Sequence, residues 1–246
     1  GLLVTLLLAG GLAEETVCLY AALPVAVAFA AYRWPQRAAA LPALAVAAAL
    51  AAGWGGRWER RDNLHAWQRV LPAASYRGSF TTPEAKYLYG EYGGQCTVVA
   101  WESVADTIPA TEHASEVLAL HLAQRPGARR FLVIGRGAFA LCHRLLALPQ
   151  AETITWLDPD PAYPAQLRAH LPARFTAGME RVETPPADLR RWLERTRATY
   201  DVIVLDFPDA ATLARNRYFT QEFFRLLQAR LSPDAVLGVR VSAGEN

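Results

Sequence analysis

The sequence is short of cysteine, of net charge and, over its first quarter, of charge altogether, and each shortage excludes something. Cys18, Cys96 and Cys142 form no C-x-x-C pair and have no histidine at ligand spacing, so neither a zinc site nor a disulfide framework is indicated. A formal charge of +2, with the arginines scattered, leaves no basic face for nucleic acid. From Gly1 to Gly56 the charged side chains are Glu14, Glu15, Arg33 and Arg37, whereas beyond Arg57 charges recur regularly. One solvent does not suit both halves. A chain of 246 residues has room for one α/β domain of ordinary size plus a smaller appended unit. It does not start with Met, and its end, Gly244-Glu245-Asn246, follows directly on an expected strand, so a piece of a longer protein is expected.

Within the charge-poor stretch, Thr16 to Tyr32 is apolar throughout and Ala38 to Trp54 is almost pure Ala, Leu and Val. Arg33-Trp34-Pro35-Gln36-Arg37 separates them as a turn, which predicts a membrane-spanning helical hairpin. Residues 1–13 read as the remainder of an earlier span, and Trp54 and Trp58 suit the headgroup level. Buried helices of a soluble protein, or a signal peptide, are the competing readings, although a signal peptide has one apolar core and not two spans with a turn between them. Residues 1–56 are therefore expected as transmembrane helices, 57–88 as a linker, and 89–246 as a nucleotide-binding domain.

From Phe131 onward, apolar runs alternate with amphipathic helical patterns, the signature of a parallel sheet covered by helices. Phe131-Leu132-Val133-Ile134 is the first strand, and Gly135-Arg136-Gly137 turns it into a helix over Ala140 to Leu148. In a doubly wound sheet such a turn passes under a nucleotide, and glycine lets the backbone approach it. The next strand, Thr153 to Leu157, ends in Asp158-Pro159-Asp160, about 20 residues after the glycines, where a carboxylate accepts from ribose hydroxyls. A solvated loop acid is the plain alternative. Arg181 to Glu183 is a short third strand, and Asp188 opens the helix Leu189 to Arg195, as an N-cap, as an adenine acceptor or as both. The fourth strand, Tyr200 to Leu205, ends in Asp206-Phe207-Pro208-Asp209, two carboxylates at the end of the sheet where open α/β folds place chemistry, although the same residues are ordinary turn formers. Thr220-Gln221-Glu222-Phe223 opens a further helix as a capping box, and Ser232-Pro233-Asp234 turns it into a strand over Ala235 to Val241.

The run Asn216-Arg217-Tyr218-Phe219-Thr220-Gln221-Glu222-Phe223-Phe224 after an Asp-x-Pro-Asp loop resembles the polyamine aminopropyltransferases of the spermidine synthase family, and most closely their bacterial membrane-fused branch. The resemblance covers roughly Tyr89 to Asn246. It implies a Rossmann-like sheet of the class I methyltransferase type, a membrane location with the soluble domain in the cytoplasm, and room for a homo-oligomer. It also implies transfer of an aminopropyl group from decarboxylated S-adenosylmethionine to putrescine or a related polyamine, with no metal. On that resemblance Gly135 and Gly137 line the donor, Asp158 takes the ribose and Asp188 the adenine, while Asp206 is the general base and Asp209 helps hold the diamine. Where the family's glycine loop continues through Asp and Gly, this chain has Ala138-Phe139, which removes a carboxylate from the donor's amino group and sets a ring beside the nucleotide. Glu116 and His121 fall out of register with the family's upstream acid and histidine and receive no role. Two other readings follow: a catalytically silent homologue with a binding or transport role, and a methyltransferase using intact S-adenosylmethionine, whose carboxylate Arg136 would meet.

Overall fold

Short apolar runs separated by amphipathic stretches satisfy their backbone groups as strands of a covered sheet, and the computed structural model is built that way. It describes residues 14–32, 41–109, 112–207 and 216–240. The chain divides into two compact units, Gly1–Ala74 and Ser75–Asn246.

The first unit contains α1 (Glu14–Tyr32), α2 (Leu41–Ala51) and α3 (Trp54–Gln68). Both apolar stretches are helical, but the expected membrane-spanning hairpin finds no support in them. At 19 residues, with Pro24 inside, α1 is about 28 Å long, and the 11 residues of α2 reach about 16 Å, against a hydrocarbon core of roughly 30 Å. Among the described residues no helix is long and apolar enough to cross a membrane. What stops α2 is Gly53, whose φ of 66° lies in the left-handed region and starts α3 in a new direction. The remnant at 1–13 and the turn at 33–37 lie outside the described residues. Trp54 and Trp58 stand partly exposed on α3 with their rings 6.3 Å apart.

The second unit opens with an antiparallel sheet in the order β1 (Tyr76–Thr81), β2 (Lys86–Tyr92), β3 (Gln95–Ala100), β4 (Ser103–Ile108). Residues 57–88, read from sequence as a linker, thus carry most of α3, all of β1 and the start of β2. The β3–β4 turn places Trp101 and Glu102 at φ 48° and 59°, the primed-turn conformation, without the usual glycine. After α4 (Glu112–Gln124) comes a parallel sheet in the order β7-β6-β5-β8-β9, with β5 (Arg130–Ile134), β6 (Thr153–Leu157), β7 (Val182–Glu183), β8 (Tyr200–Leu205) and β9 (Leu231–Val239). The helices α5 (Phe139–Leu146), α6 (Tyr163–His170), α7 (Ala173–Thr176), α8 (Leu189–Arg195) and α9 (Gln221–Gln228) lie between these strands in sequence. Alternate residues of each central strand feed opposite layers. Phe131, Val133 and Trp156 pack with α5, α6 and the antiparallel sheet, while Leu132, Ile134 and Leu157 pack with α8 and α9.

The strands expected at 153–157 and 200–205 and the helix at 189–195 have the expected bounds. The last strand does not. Ser232-Pro233-Asp234, read as a turn, lies inside β9, because the pairing jumps from Tyr200–Leu231 to Val202–Val236 and accommodates the extra residues as a bulge. Asp234 takes a φ of 58° there.

Two buried acids tie the unit together. Asp160, after β6, accepts from Thr82 Oγ1 at 2.5 Å and Tyr87 OH at 2.8 Å, clamping the antiparallel sheet to the parallel one. Asp201, in β8, accepts from the backbone N–H groups of Arg129 and Arg130 at 3.0 Å each, from Arg130 Nη2 at 2.9 Å and from Ser232 Oγ at 2.8 Å. Burial alone would raise the Asp201 carboxyl, but these donors outweigh it and hold the group below the usual carboxylate range. A depressed acid contributes stability above its unfolded-state value and loses it as pH falls through its folded value. Asp201→Ala is therefore expected to cost about 3 kcal/mol at pH 7, and the gap to the parent should narrow in urea melts repeated below about pH 4.

Candidate functional site

The parallel order reverses between β5 and β8, so the chain leaves their carboxyl ends in opposite directions and opens a crevice. Two glycines shape it. A β-carbon on Gly135 would run into the carbonyl oxygen of Asp206, and one on Gly137, whose φ is 72°, into that of Ala105. The space expected for close approach of a ligand is thus taken by the protein's own backbone: Gly135 admits the end of β8, and Gly137 admits β4.

Between these elements lies a cavity of about 190 Å³. Val104, Ala114, Val117 and Leu141 give it an apolar wall, and Asp106, Asp206, His113, Arg136 and Arg240 supply the polar groups. Asp206, at the end of β8, has 12% of its side chain exposed; Arg240 Nη1 lies 3.2 Å from its Oδ1 and His113 Nε2 lies 3.8 Å away. Asp106, in β4, is buried. Its Oδ1 accepts from the Thr107 N–H at 3.0 Å, and its Oδ2 has no hydrogen-bond partner. Burial pushes this carboxyl up to about 7, against the pull of the Thr107, Phe139 and Ala140 amides and with a smaller push from the Asp206 charge.

The residues expected from sequence divide. Gly137 and Asp206 line the cavity, and Gly135 stands beside it. Asp158 is 3% exposed, accepts from the Asp160 N–H at 2.8 Å through Oδ1, and leaves Oδ2 unpartnered; burial drives its carboxyl well up. Asp188 is exposed and N-caps α8 by accepting from the Arg191 N–H at 3.1 Å. Asp209 lies outside the described residues. Phe139, expected to set a ring beside the nucleotide, is fully buried and packs edge-on against Trp156 at 6.2 Å. Trp156 in turn donates from Nε1 to the Gly135 carbonyl at 3.0 Å, so the underside of the glycine turn is filled with aromatic side chains. Arg136 places its guanidinium 4.1 Å from the centre of the Trp101 ring, and its Nη1 has no hydrogen-bond partner.

Sequence reasoning missed Asp106, His113 and Arg240. Only Asp106 carried a local signal, as an acid in an alternating strand where Asp is disfavoured. Because a raised carboxyl makes the folded state bind more protons than the unfolded one between about pH 4 and pH 7, stability falls as pH rises through that window. Asp106→Asn keeps the acceptor for the amides and removes the buried charge. In urea melts the variant should gain on the parent by roughly 2 to 3 kcal/mol more at pH 8 than at pH 5.

Comparison with known proteins places this geometry in context. Residues 113–242 match the spermine/spermidine synthase domain. A polyamine aminopropyltransferase of Ralstonia nicotianae is 29% identical over 122 residues, 48% of this chain and 24% of that protein. One from a Synechococcus species is 34% identical over 115 residues, 46% of this chain and 37% of that protein. The chain therefore spans well under half the length of the curated relatives it matches. Among solved structures, spermidine synthase in complex with the transition state analogue AdoDATO superposes with a TM-score of 0.56 at 18% identity, over 67% of this chain and 57% of that one. The spermidine synthase of Thermotoga maritima gives a TM-score of 0.54 at 17% identity. At these identities the two structures speak for the Rossmann-like fold.

Proposed function

This chain belongs to the spermine/spermidine synthase family, and we propose on that premise that it carries an aminopropyltransferase site. The reaction is transfer of an aminopropyl group from decarboxylated S-adenosylmethionine to putrescine or a related aliphatic polyamine. An amine nitrogen attacks the methylene beside the sulfonium, the carbon–sulfur bond breaks with its electrons going to sulfur, and methylthioadenosine leaves. The sulfonium activates the carbon, so the protein has to bind, align and deprotonate a cationic amine in a site shielded from water.

The observation that carries this reading is the cavity at the ends of β5 and β8, where two carboxylates, Asp106 and Asp206, stand with Arg136, Arg240 and His113 beside an apolar wall of Val104, Ala114, Val117 and Leu141. Carboxylates there suit an ammonium group, and the apolar wall suits an alkyl chain. A volume of about 190 Å³ matches the amine and the aminopropyl arm, whereas ligand sites for drug-sized molecules run from roughly 300 Å³ upward. The nucleoside then lies outside the cavity along the ends of β5 and β6, with Asp158 toward its ribose and Asp188 toward its base, while Gly135 and Gly137 shape the crevice by admitting β8 and β4.

A second reading, a catalytically silent homologue, is favoured by one feature: Asp158 is only 3% exposed, and a ribose reaches it only if the loop around it opens. The two readings separate in one assay. Purified protein incubated with decarboxylated S-adenosylmethionine and putrescine, spermidine or cadaverine should release methylthioadenosine and the extended polyamine in equal amounts, measured by chromatography. Asp158→Ala should weaken methylthioadenosine binding by about 2- to 10-fold in calorimetry, the cost of roughly 0.5 to 1.5 kcal/mol for a hydrogen bond between neutral groups. Nucleoside binding without transfer to any amine would establish the silent homologue, and transfer only of a methyl group from intact S-adenosylmethionine would establish a methyltransferase.

A further inference from the structure

The charge around the cavity does not suit a ligand that is cationic at both ends. Its lining sets two guanidiniums, Arg136 and Arg240, and the imidazole of His113 against two carboxyls, Asp206 and Asp106. The carboxyls are not equal partners. Asp206 ends β8 with part of its side chain exposed and can meet an ammonium. Asp106 is buried, faces the amides at the start of α5, and is pushed up to about 7 by burial, so near neutral pH it carries only part of a charge. A diamine bound as a dication would place one ammonium on Asp206 and drive the other toward a guanidinium, which like-charge repulsion opposes.

Arg136 is the cation left over. Arg240 Nη1 lies 3.2 Å from Asp206 Oδ1, whereas Arg136 forms no ion pair among the described residues. Its charge is felt by Asp158, but burial drives that carboxyl well up toward its neutral form. What Arg136 does have is the Trp101 ring, whose centre lies 4.1 Å from the guanidinium carbon. A guanidinium lying on a ring face keeps its in-plane N–H groups for a planar anion, and a carboxylate matches that fork. Arg136 is partly exposed and lines the cavity, so such an anion is met from inside it.

Resting on the aminopropyltransferase reading for the donor and the reaction, we infer that the acceptor taken by this cavity is a linear ω-amino acid. Its ammonium meets Asp206, its carboxylate meets Arg136, and the alkyl chain between them runs along Val104, Val117 and Leu141. The ammonium gives one proton to Asp206, and the freed lone pair attacks the methylene beside the sulfonium. The carbon–sulfur bond breaks with its electrons going to sulfur, and methylthioadenosine leaves. The product departs as a secondary ammonium that still carries the carboxylate, and Asp206 returns its proton to solvent. Arg136 takes no part in the bond changes; it sets which acceptor is bound.

The test compares 4-aminobutanoate with 1,4-diaminobutane, acceptors of the same carbon count that differ in one terminal group, using the full chain and the decarboxylated donor. The parent should show a kcat/KM about tenfold or more higher with 4-aminobutanoate. Arg136→Met keeps an unbranched stem beside Trp101 and removes the charge. It should raise KM for 4-aminobutanoate about tenfold or more, the loss of a charge-assisted hydrogen bond, while kcat and methylthioadenosine affinity stay within about threefold and KM for the diamine does not rise. Should Arg136→Met fail to fold, the acceptor preference of the parent decides alone. An active parent that prefers the diamine, or that keeps its preference for the amino acid in Arg136→Met, overturns the inference and leaves aminopropyl transfer standing. A parent that transfers to no acceptor, yet binds 4-aminobutanoate in an Arg136-dependent way by calorimetry, overturns aminopropyl transfer and keeps the carboxylate site. Arg136-dependent binding of intact S-adenosylmethionine, with none of 4-aminobutanoate, puts the carboxylate on the donor and overturns the acceptor assignment. Absence of transfer and of any Arg136-dependent binding overturns both.

Discussion

The close backbone approach at the two glycines of the β5–α5 turn is the constraint from which the rest of the site follows. Gly135 lets the carbonyl of Asp206 come within the space of a missing β-carbon, and the Asp206 N–H donates to Ile134 at 2.8 Å. Gly137 does the same for the carbonyl of Ala105, one residue before Asp106. The turn therefore docks the end of a parallel strand on one side and an antiparallel hairpin on the other, and each docked element delivers one carboxylate. Any side chain at either glycine would push a carboxylate away from the cavity before it touched a ligand.

The buried acids of this unit show how environment separates one residue type into different tasks. Asp201 is surrounded by N–H donors and a guanidinium and stays ionised, so it works as a structural tie at the amino ends of the strands. Asp160 receives two hydroxyls and one backbone amide, which joins the two sheets. Asp106 and Asp158 each keep an oxygen without a partner and are driven toward the neutral form by burial. Stability would be served by pairing or removing them. That both lie near the carboxyl ends of the sheet, where open α/β folds bind ligands, is consistent with stability given up at a binding site.

The loss of the loop acid that aminopropyltransferases carry after their glycines looks different in three dimensions. Ala138 and Phe139 are both buried, and the Phe139 ring turns inward onto Trp156. Small and apolar residues are what that position needs once β4 closes over it. Asp106, from the neighbouring sheet, faces the amides of Phe139 and Ala140 at the start of α5.

By itself the sequence determined the parallel sheet, because strands such as Val202 to Leu205 in β8, buried on both faces, read as apolar runs, and because the caps at Asp188 and Thr220 act on their own helices. It also pointed to the end of β8, because open α/β sheets leave a crevice at the carboxyl ends of their central strands, and Asp206 lines the cavity found there. It did not reveal the length of the N-terminal helices, because alanine-rich runs look alike in a bilayer and in a short helix that a single left-handed glycine ends. Nor did it reveal Asp106, His113 and Arg240. Their side chains come from β4, α4 and the end of β9, and elements far apart in the chain share a cavity only once pairing and packing have brought them together. Whether a buried aspartate is held ionised or driven toward its neutral form was likewise decided by tertiary structure alone, because proton affinity depends on burial and on partners that arrive from elsewhere in the fold.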